Sequence, residues 1–131
     1  MARSLFPADE IENDIAEMRG FLEREDGEVI VAEREGSGLL AGYVEVGARS
    51  VADGCVTSPV GYIEALWVDQ DMRRQGIGGR LFKAAEEWSA AMGYKEMASD
   101  VEIDNEVSHE AHKRNGYTEV SKVITYFKKI G

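Results

Sequence analysis

The sequence predicts an α/β domain, and three neighbouring runs carry the prediction. Val60 to Val68 is rich in aromatic and β-branched residues and reads as a strand. Ile77, Leu81, Ala84, Ala85, Trp88 and Met92 recur with the 3.6 period of a long helix, which Gly93 ends. Between the two, Arg73-Arg74-Gln75-Gly76-Ile77-Gly78-Gly79 turns strand into helix. The 131 residues suit one domain over 1–131, long enough to bury a core without staples. A hydrophobic content of 44% with only two prolines argues against disorder.

The other elements follow in order. Ala8 to Glu25 reads as a helix: Ile11, Ile15, Met18 and Leu22 share a face, and Pro7, Asp9 and Glu10 mark its start. Glu28 to Arg34 and Leu39 to Ala48 read as an antiparallel hairpin across a Gly-Ser-Gly turn. Arg49 to Pro59 is loop, with turn signals at Asp53-Gly54 and Ser58-Pro59. After the long helix come a short strand, Tyr94 to Asp100, and a helix, Asn105 to Asn115, stopped by Gly116. Tyr117 to Lys129 alternates and is expected to be a long final strand. The predicted order is α-β-β-β-α-β-α-β, opening on a helix with no strand before it.

Charge and composition narrow the function classes. The net charge of −10 disfavours nucleic acid and anionic membrane as partners and favours cations; plain solubility is the commoner cause of such a charge. No run of roughly 18 apolar residues is present to span a membrane, and Met1-Ala2-Arg3-Ser4 is not followed by the apolar run of a signal peptide. The one cysteine, Cys55, forms no internal disulfide and suits a reducing cytoplasmic setting. Two histidines and one cysteine make no recognisable metal-ligand cluster, so no metal is expected.

The Gly-rich turn carries the first chemical signal. A helix N-terminus presents bare N–H groups and a positive dipole end, which suits an anion, usually phosphate. Gly76 and Gly78 lack the side chains that would hold a phosphate off the backbone, and Arg73 and Arg74 add donor forks. The turn is neither a Walker loop nor a dinucleotide fingerprint. Taken alone, it could equally be a turn that starts a helix, with its arginines in solvent.

Glu64 lies inside an apolar strand, Tyr62-Ile63-Glu64-Ala65-Leu66-Trp67-Val68. Such a carboxylate is costly unless paired or wet. It is either half of a cross-strand ion pair or a group facing an open cleft, where it could bind an ammonium or take its proton, with desolvation raising its pKa. Asp100 ends the next strand, where α/β sheets meet their ligands, although Asp is also a common turn residue. Asn105 and His112, seven residues apart, share a helix face; His112 is a candidate contact or an ordinary surface histidine.

Arg73-Arg74-Gln75-Gly76-Ile77-Gly78 matches the Arg/Gln-x-x-Gly-x-Gly/Ala signature, and with its flanking elements the chain resembles the GNAT N-acetyltransferases. The resemblance implies the GNAT fold: a mixed central sheet with flanking helices, its first strand absent from this chain. It implies acetyl-coenzyme A as cosubstrate. The pyrophosphate would lie on amides of Arg74, Gln75, Gly76, Ile77, Gly78 and Gly79. Arg73 and Asn105 would join the cofactor site, and Leu66, Trp67 and Val68 would pair with pantetheine as a strand edge pairs with a peptide. Where the family carries Tyr as leaving-group acid, this chain has His112, which can donate to the thiolate only when protonated.

Within the family, Tyr62 to Val68, Lys95-Glu96-Met97-Ala98-Ser99-Asp100, Asn105 to Tyr117 and Val123 to Lys129 are similar to aminoglycoside 6′-N-acetyltransferases. So is Asp53 to Pro59. That likeness implies Glu64 and Asp100 as ligands of the drug's ammonium groups, either able to help deprotonate the amine. Glu119 would be a further acid of the same pocket, and Phe6 an aromatic against the sugar. It also implies direct transfer in a ternary complex, a homodimer paired through the C-terminal strand region, and an antibiotic-resistance role. An acetyltransferase for another amine, such as a polyamine or a protein N-terminus or lysine, shares the same loop. A coenzyme A-binding module without catalysis is the reading from another class.

Overall fold

The computed structural model describes residues 26–34 and 38–131. The helix expected over 8–25, Phe6 and the tip of the first hairpin lie outside the described residues. The sheet runs β1 (Gly27–Glu33), β2 (Leu40–Arg49), β3 (Val60–Val68) and β4 (Met97–Ser99) in that spatial order. The first two pairings are antiparallel and β3 to β4 is parallel, so the sheet is mixed as expected. The parallel pair needs a crossover, which α1 (Ile77–Ala91) supplies. A second helix, α2 (Glu106–Arg114), follows β4.

The predicted periodicities place the core. On one face, Ala41, Val44, Val46 and Ile63 pack on Ile77, Leu81, Phe82 and Ala85 of α1, all nearly inaccessible. On the other, Val29, Leu40 and Tyr43 form a second cluster, with Val31 and Ala65 against it. Gly61 lets α1 and β4 approach β3 closely. A Cβ there would overlap the Ser89 hydroxyl and lie 2.5 Å from the Met97 sulfur.

Two irregularities in β3 shape what lies around it. Glu45 pairs with Ala65 but the next residue, Val46, pairs with Ile63, so Glu64 is the extra residue of a β-bulge. Bulges re-aim side chains and increase local twist. On the other edge, β4 pairs with β3 only at Gly61, Tyr62 and Ile63. Beyond Ile63 the two strands part, and the edge of β3 from Glu64 to Val68 carries no β4 partner.

One expected element is corrected. Tyr117 to Lys129 does not form a strand: the Tyr117 N–H closes α2 on the His112 carbonyl, and residues 118–131 have no regular structure. A strand exists only through a partner's ladder, and alternation along one chain cannot supply one. The segment is an exposed arm; Phe127 is 88% and Ile130 92% accessible. Near its start the Ser121 hydroxyl donates to Asp53 (2.8 Å) and Val120 abuts Gly54.

Candidate active site

The end of β3 is fixed before the chain turns. The Asp69 N–H donates to the Ala41 carbonyl (2.8 Å), and its carboxylate accepts from Trp67 Nε1 and from Arg34 (both 2.9 Å). Arg34 also forks onto Asp71 (2.8 and 2.9 Å), and this pairing holds the Asp71 carboxyl below its ordinary range. A single 3₁₀ turn, Gln70–Met72, then leads into the Gly-rich segment. Arg73 Nε donates back to the Val68 carbonyl (3.1 Å), with its guanidinium 5.2 Å from the Trp67 ring. Arg73 therefore braces the loop against the strand.

Arg74 (φ 66°) and Gly76 (φ 80°) both adopt the left-handed conformation, and Gly76 caps α1 without a side-chain bond. Such alternation turns successive N–H groups toward one point. The first bond of α1 runs from the Arg80 N–H to the Gly76 carbonyl (3.1 Å), so the N–H groups of Ile77, Gly78 and Gly79 precede the ladder. A Cβ on Gly76 would meet nothing within 4 Å, and one on Gly78 only Val68 Cγ2 at 3.9 Å. The turn thus lies in open surroundings beside the stretch of β3, Leu66 to Val68, that has no β4 partner. N–H groups ahead of the helix ladder, next to a strand edge with no β4 partner, fit a diphosphate joined to an amide-bearing arm.

A polar cluster lies where the bulge turns Glu64. Arg49, the last residue of β2, forks onto Glu64 with Nη2–Oε1 2.7 Å and Nε–Oε2 3.1 Å. The same guanidinium stacks 3.6 Å over the Tyr62 ring. The Tyr62 hydroxyl donates to Asp100 Oδ2 (2.7 Å). Burial, then this bond, pushes the Tyr62 phenol well above its usual range, and the bond to Glu64 raises Arg49. Glu64 and Asp100, 36 positions apart in the chain, are thereby joined through Arg49 and Tyr62.

His112 lies elsewhere. Its Nδ1 is 2.7 Å from the Ser108 carbonyl, which can only accept, so Nδ1 bears a proton. Its Nε2 is 2.9 Å from the hydroxyl of Ser99, the last residue of β4. Edge-on contacts with Phe82 and Tyr117 fix the ring at centroid separations of 5.0 and 5.6 Å. Asn105 is the N-cap of α2, its Oδ1 accepting from the Ser108 N–H (3.1 Å). A cleft of about 1310 Å³ is bounded by Arg49, Tyr62, Asp100, His112 and Glu119; Glu64 lies behind Arg49 and does not line it.

The model of the acetyltransferase (GNAT) family matches residues 1–117. The chain belongs to that family. An aminoglycoside N(6′)-acetyltransferase type 1 of Serratia marcescens is 33% identical over 129 residues, covering 98% of this chain and 88% of the relative. The aminoglycoside 6′-N-acetyltransferase AAC(6′)-IG of Acinetobacter haemolyticus superposes with a TM-score of 0.81 at 30% identity, covering 95% and 86% of the two chains. The aminoglycoside N-acetyltransferase AAC(6′)-Iy, solved in complex with coenzyme A, superposes at 0.82 with 27% identity, covering 92% and 89%.

In this acetyltransferase, then, the residues singled out from the sequence divide spatially. Arg74 to Gly79 and Leu66 to Val68 meet at the open edge of β3. Glu64 and Asp100 meet through Arg49 and Tyr62. His112 stands under Ser99, where β3 and β4 part. Asn105 caps its helix, and Glu119 is an exposed residue on the far wall of the cleft. Sequence reasoning missed Arg49, Tyr62 and Ser99. Tyr62 was within reach, two residues before a suspected carboxylate in one strand. Arg49 was not, because it reads as a loop start and meets Glu64 only through the register of β2 on β3. Among the described residues no group of three or more His, Cys, Asp and Glu could hold a metal ion, and no helix is long and apolar enough to cross a membrane.

Proposed function

We propose that residues 1–131 act as one N-acetyltransferase domain that moves acetyl from acetyl-coenzyme A to the 6′-amine of an aminoglycoside. The observation that carries this is the pair of carboxylates near the split of β3 and β4: Glu64, already bound to the Arg49 cation, and Asp100, which accepts from the Tyr62 hydroxyl. The open Gly76–Gly79 amides beside Leu66–Val68 support coenzyme A as the other ligand. The names of the relatives above support the amine. Bound acetyl-coenzyme A would supply the activated acetyl group as a thioester.

The chain's own residues would do the rest. Glu64 and Asp100 hold the acceptor's ammonium groups, and either takes the proton that makes the amine nucleophilic. A backbone N–H on the edge of β3 away from β2, such as that of Val68, would face the developing oxyanion. His112, when also protonated at Nε2, would pass a proton through the Ser99 hydroxyl to the departing sulfur. Transfer is direct, in a ternary complex; burial pushes the Cys55 thiol up, so it is a poor nucleophile. The enzyme works in the cytoplasm and confers drug resistance. It pairs as a homodimer through the C-terminal arm, whose exposed Val123, Ile124, Tyr126, Phe127 and Ile130 need cover.

The test is release of free coenzyme A thiol with kanamycin or tobramycin, beside spermidine and a lysine-bearing peptide. Turnover of the aminoglycosides is expected. Turnover confined to spermidine or to the peptide would overturn the substrate, and acetyl-coenzyme A binding with no turnover on any amine would leave a binding module.

A further inference from the structure

The carboxylate at the bulge is already occupied. Arg49 makes a two-pronged contact with Glu64, its guanidinium plane lies on Tyr62, and it stands between Glu64 and the cleft. Its side chain is 43% exposed against 21% for Glu64, so the cation is the outer partner of the pair. It is carried by the last residue of β2, next to exposed Ser50 and Val51, and can leave Glu64 without moving the core. The fork is well formed, but the exposed guanidinium is screened by water, so another cation can compete with it for Glu64.

We propose that Arg49 is a specificity-determining residue: a tethered guanidinium that fills the cation seat on Glu64 and is displaced by an ammonium group of the acceptor. This rests on the acceptor being an amine, as proposed above, and adds what selects among amines. An acceptor with one ammonium exchanges one cation for another at Glu64 and gains little. An acceptor with several displaces Arg49 once and still has charges for Asp100 and the acidic wall of the cleft. The tether therefore discriminates against monoamines, by penalising the wrong ligand rather than by adding contacts to the right one. Displaced, the guanidinium can remain on the Tyr62 ring, which keeps the Tyr62–Asp100 bond in place.

The experiment compares the wild-type chain with Arg49→Gln and Arg49→Lys. Each is titrated calorimetrically with 6-amino-6-deoxyglucose, which has one ammonium, and with spermidine, which has three. Thiol release is followed with the same monoamine and with neamine. Arg49→Gln is expected to tighten the monoamine about two- to fivefold, the worth of an exposed ion pair, and the polyamine less. The gain falls on KM rather than kcat, acetyl-coenzyme A affinity stays put, and Arg49→Lys restores most of the wild-type ratio. Four results would overturn the proposal. They are an unchanged monoamine-to-polyamine ratio, weaker monoamine binding in Arg49→Gln, a parallel loss for amines and coenzyme A, and no amine binding by any of the three proteins. Should no aminoglycoside be turned over, the functional reading fails on its own, and the calorimetric ratio still decides the role of Arg49.

Discussion

At the scale of single residues, the site is a set of charges each held by an identifiable donor. Asp100 accepts from the Tyr62 hydroxyl and keeps further oxygen lone pairs for an acceptor cation. Under the proposed role, Asp100→Asn removes a charge-assisted bond, worth about 1.5–3 kcal/mol. Steady-state kinetics should show the acceptor KM rising about tenfold or more, with the dissociation constant of acetyl-coenzyme A moving far less. Equal loss of both would contradict that role. Glu96 does structural work of the same kind: it accepts from the Val56 N–H (2.9 Å), the Thr57 N–H (2.6 Å) and the Thr57 hydroxyl, pinning the 50–59 loop to the lead-in of β4. The Thr57 bonds come first in holding its carboxyl below the ordinary value of 4.5. The unfolded chain therefore binds the proton more readily than the folded one. Stability from this group is complete above about pH 4.5 and is lost as pH falls through the lower folded value. Urea unfolding between pH 6 and pH 3 should show that acid-side loss in the wild type and a smaller one in Glu96→Gln.

At the scale of elements, two glycines have opposite duties. Gly61 is a packing residue: a methyl there runs into Ser89 on α1 and Met97 on β4. Gly61→Ala should cost about 1–3 kcal/mol of unfolding free energy, measured by denaturant titration, because both neighbours are held by secondary structure. Gly78 sits in the first turn of α1, and a Cβ there would point into open space beside Val68. Gly78→Ala should raise the melting temperature or leave it alone, since alanine favours a helix by about 0.5–1 kcal/mol. If this opening receives the diphosphate, the same change raises the KM for acetyl-coenzyme A about tenfold, the cost of one weakened contact. A variant more stable and equally tight for coenzyme A would remove Gly78 from the cofactor site.

At the scale of the whole molecule, the arm over 118–131 is the unfinished part. It carries large apolar groups into solvent, and among the described strands β4 pairs with β3 alone. Under the proposed pairing, an isologous exchange in which each copy lends its arm to the other would cover both arms by one symmetric contact. Light scattering should report a dimer, and Ile124→Asp with Phe127→Asp a monomer; a wild-type monomer at tens of micromolar would refute the pairing.

Much of this molecule was written along the chain. The period of Ile77 to Met92 determined α1, the β-branched run determined β3, and Asn105 and Gly116 bracketed α2, because local sterics and capping act over a few residues. The Gly-rich turn likewise fixed where bare amides would lie. Tertiary structure alone decided three things. The bulge at Glu64 is a mismatch between β2 and β3, a property of a pair of strands and of neither one. The grip of Arg49 on Glu64 follows from that register. The alternation of Tyr117 to Lys129 promised a strand, but a strand is completed by its neighbour's hydrogen bonds, and none of the described strands provides them.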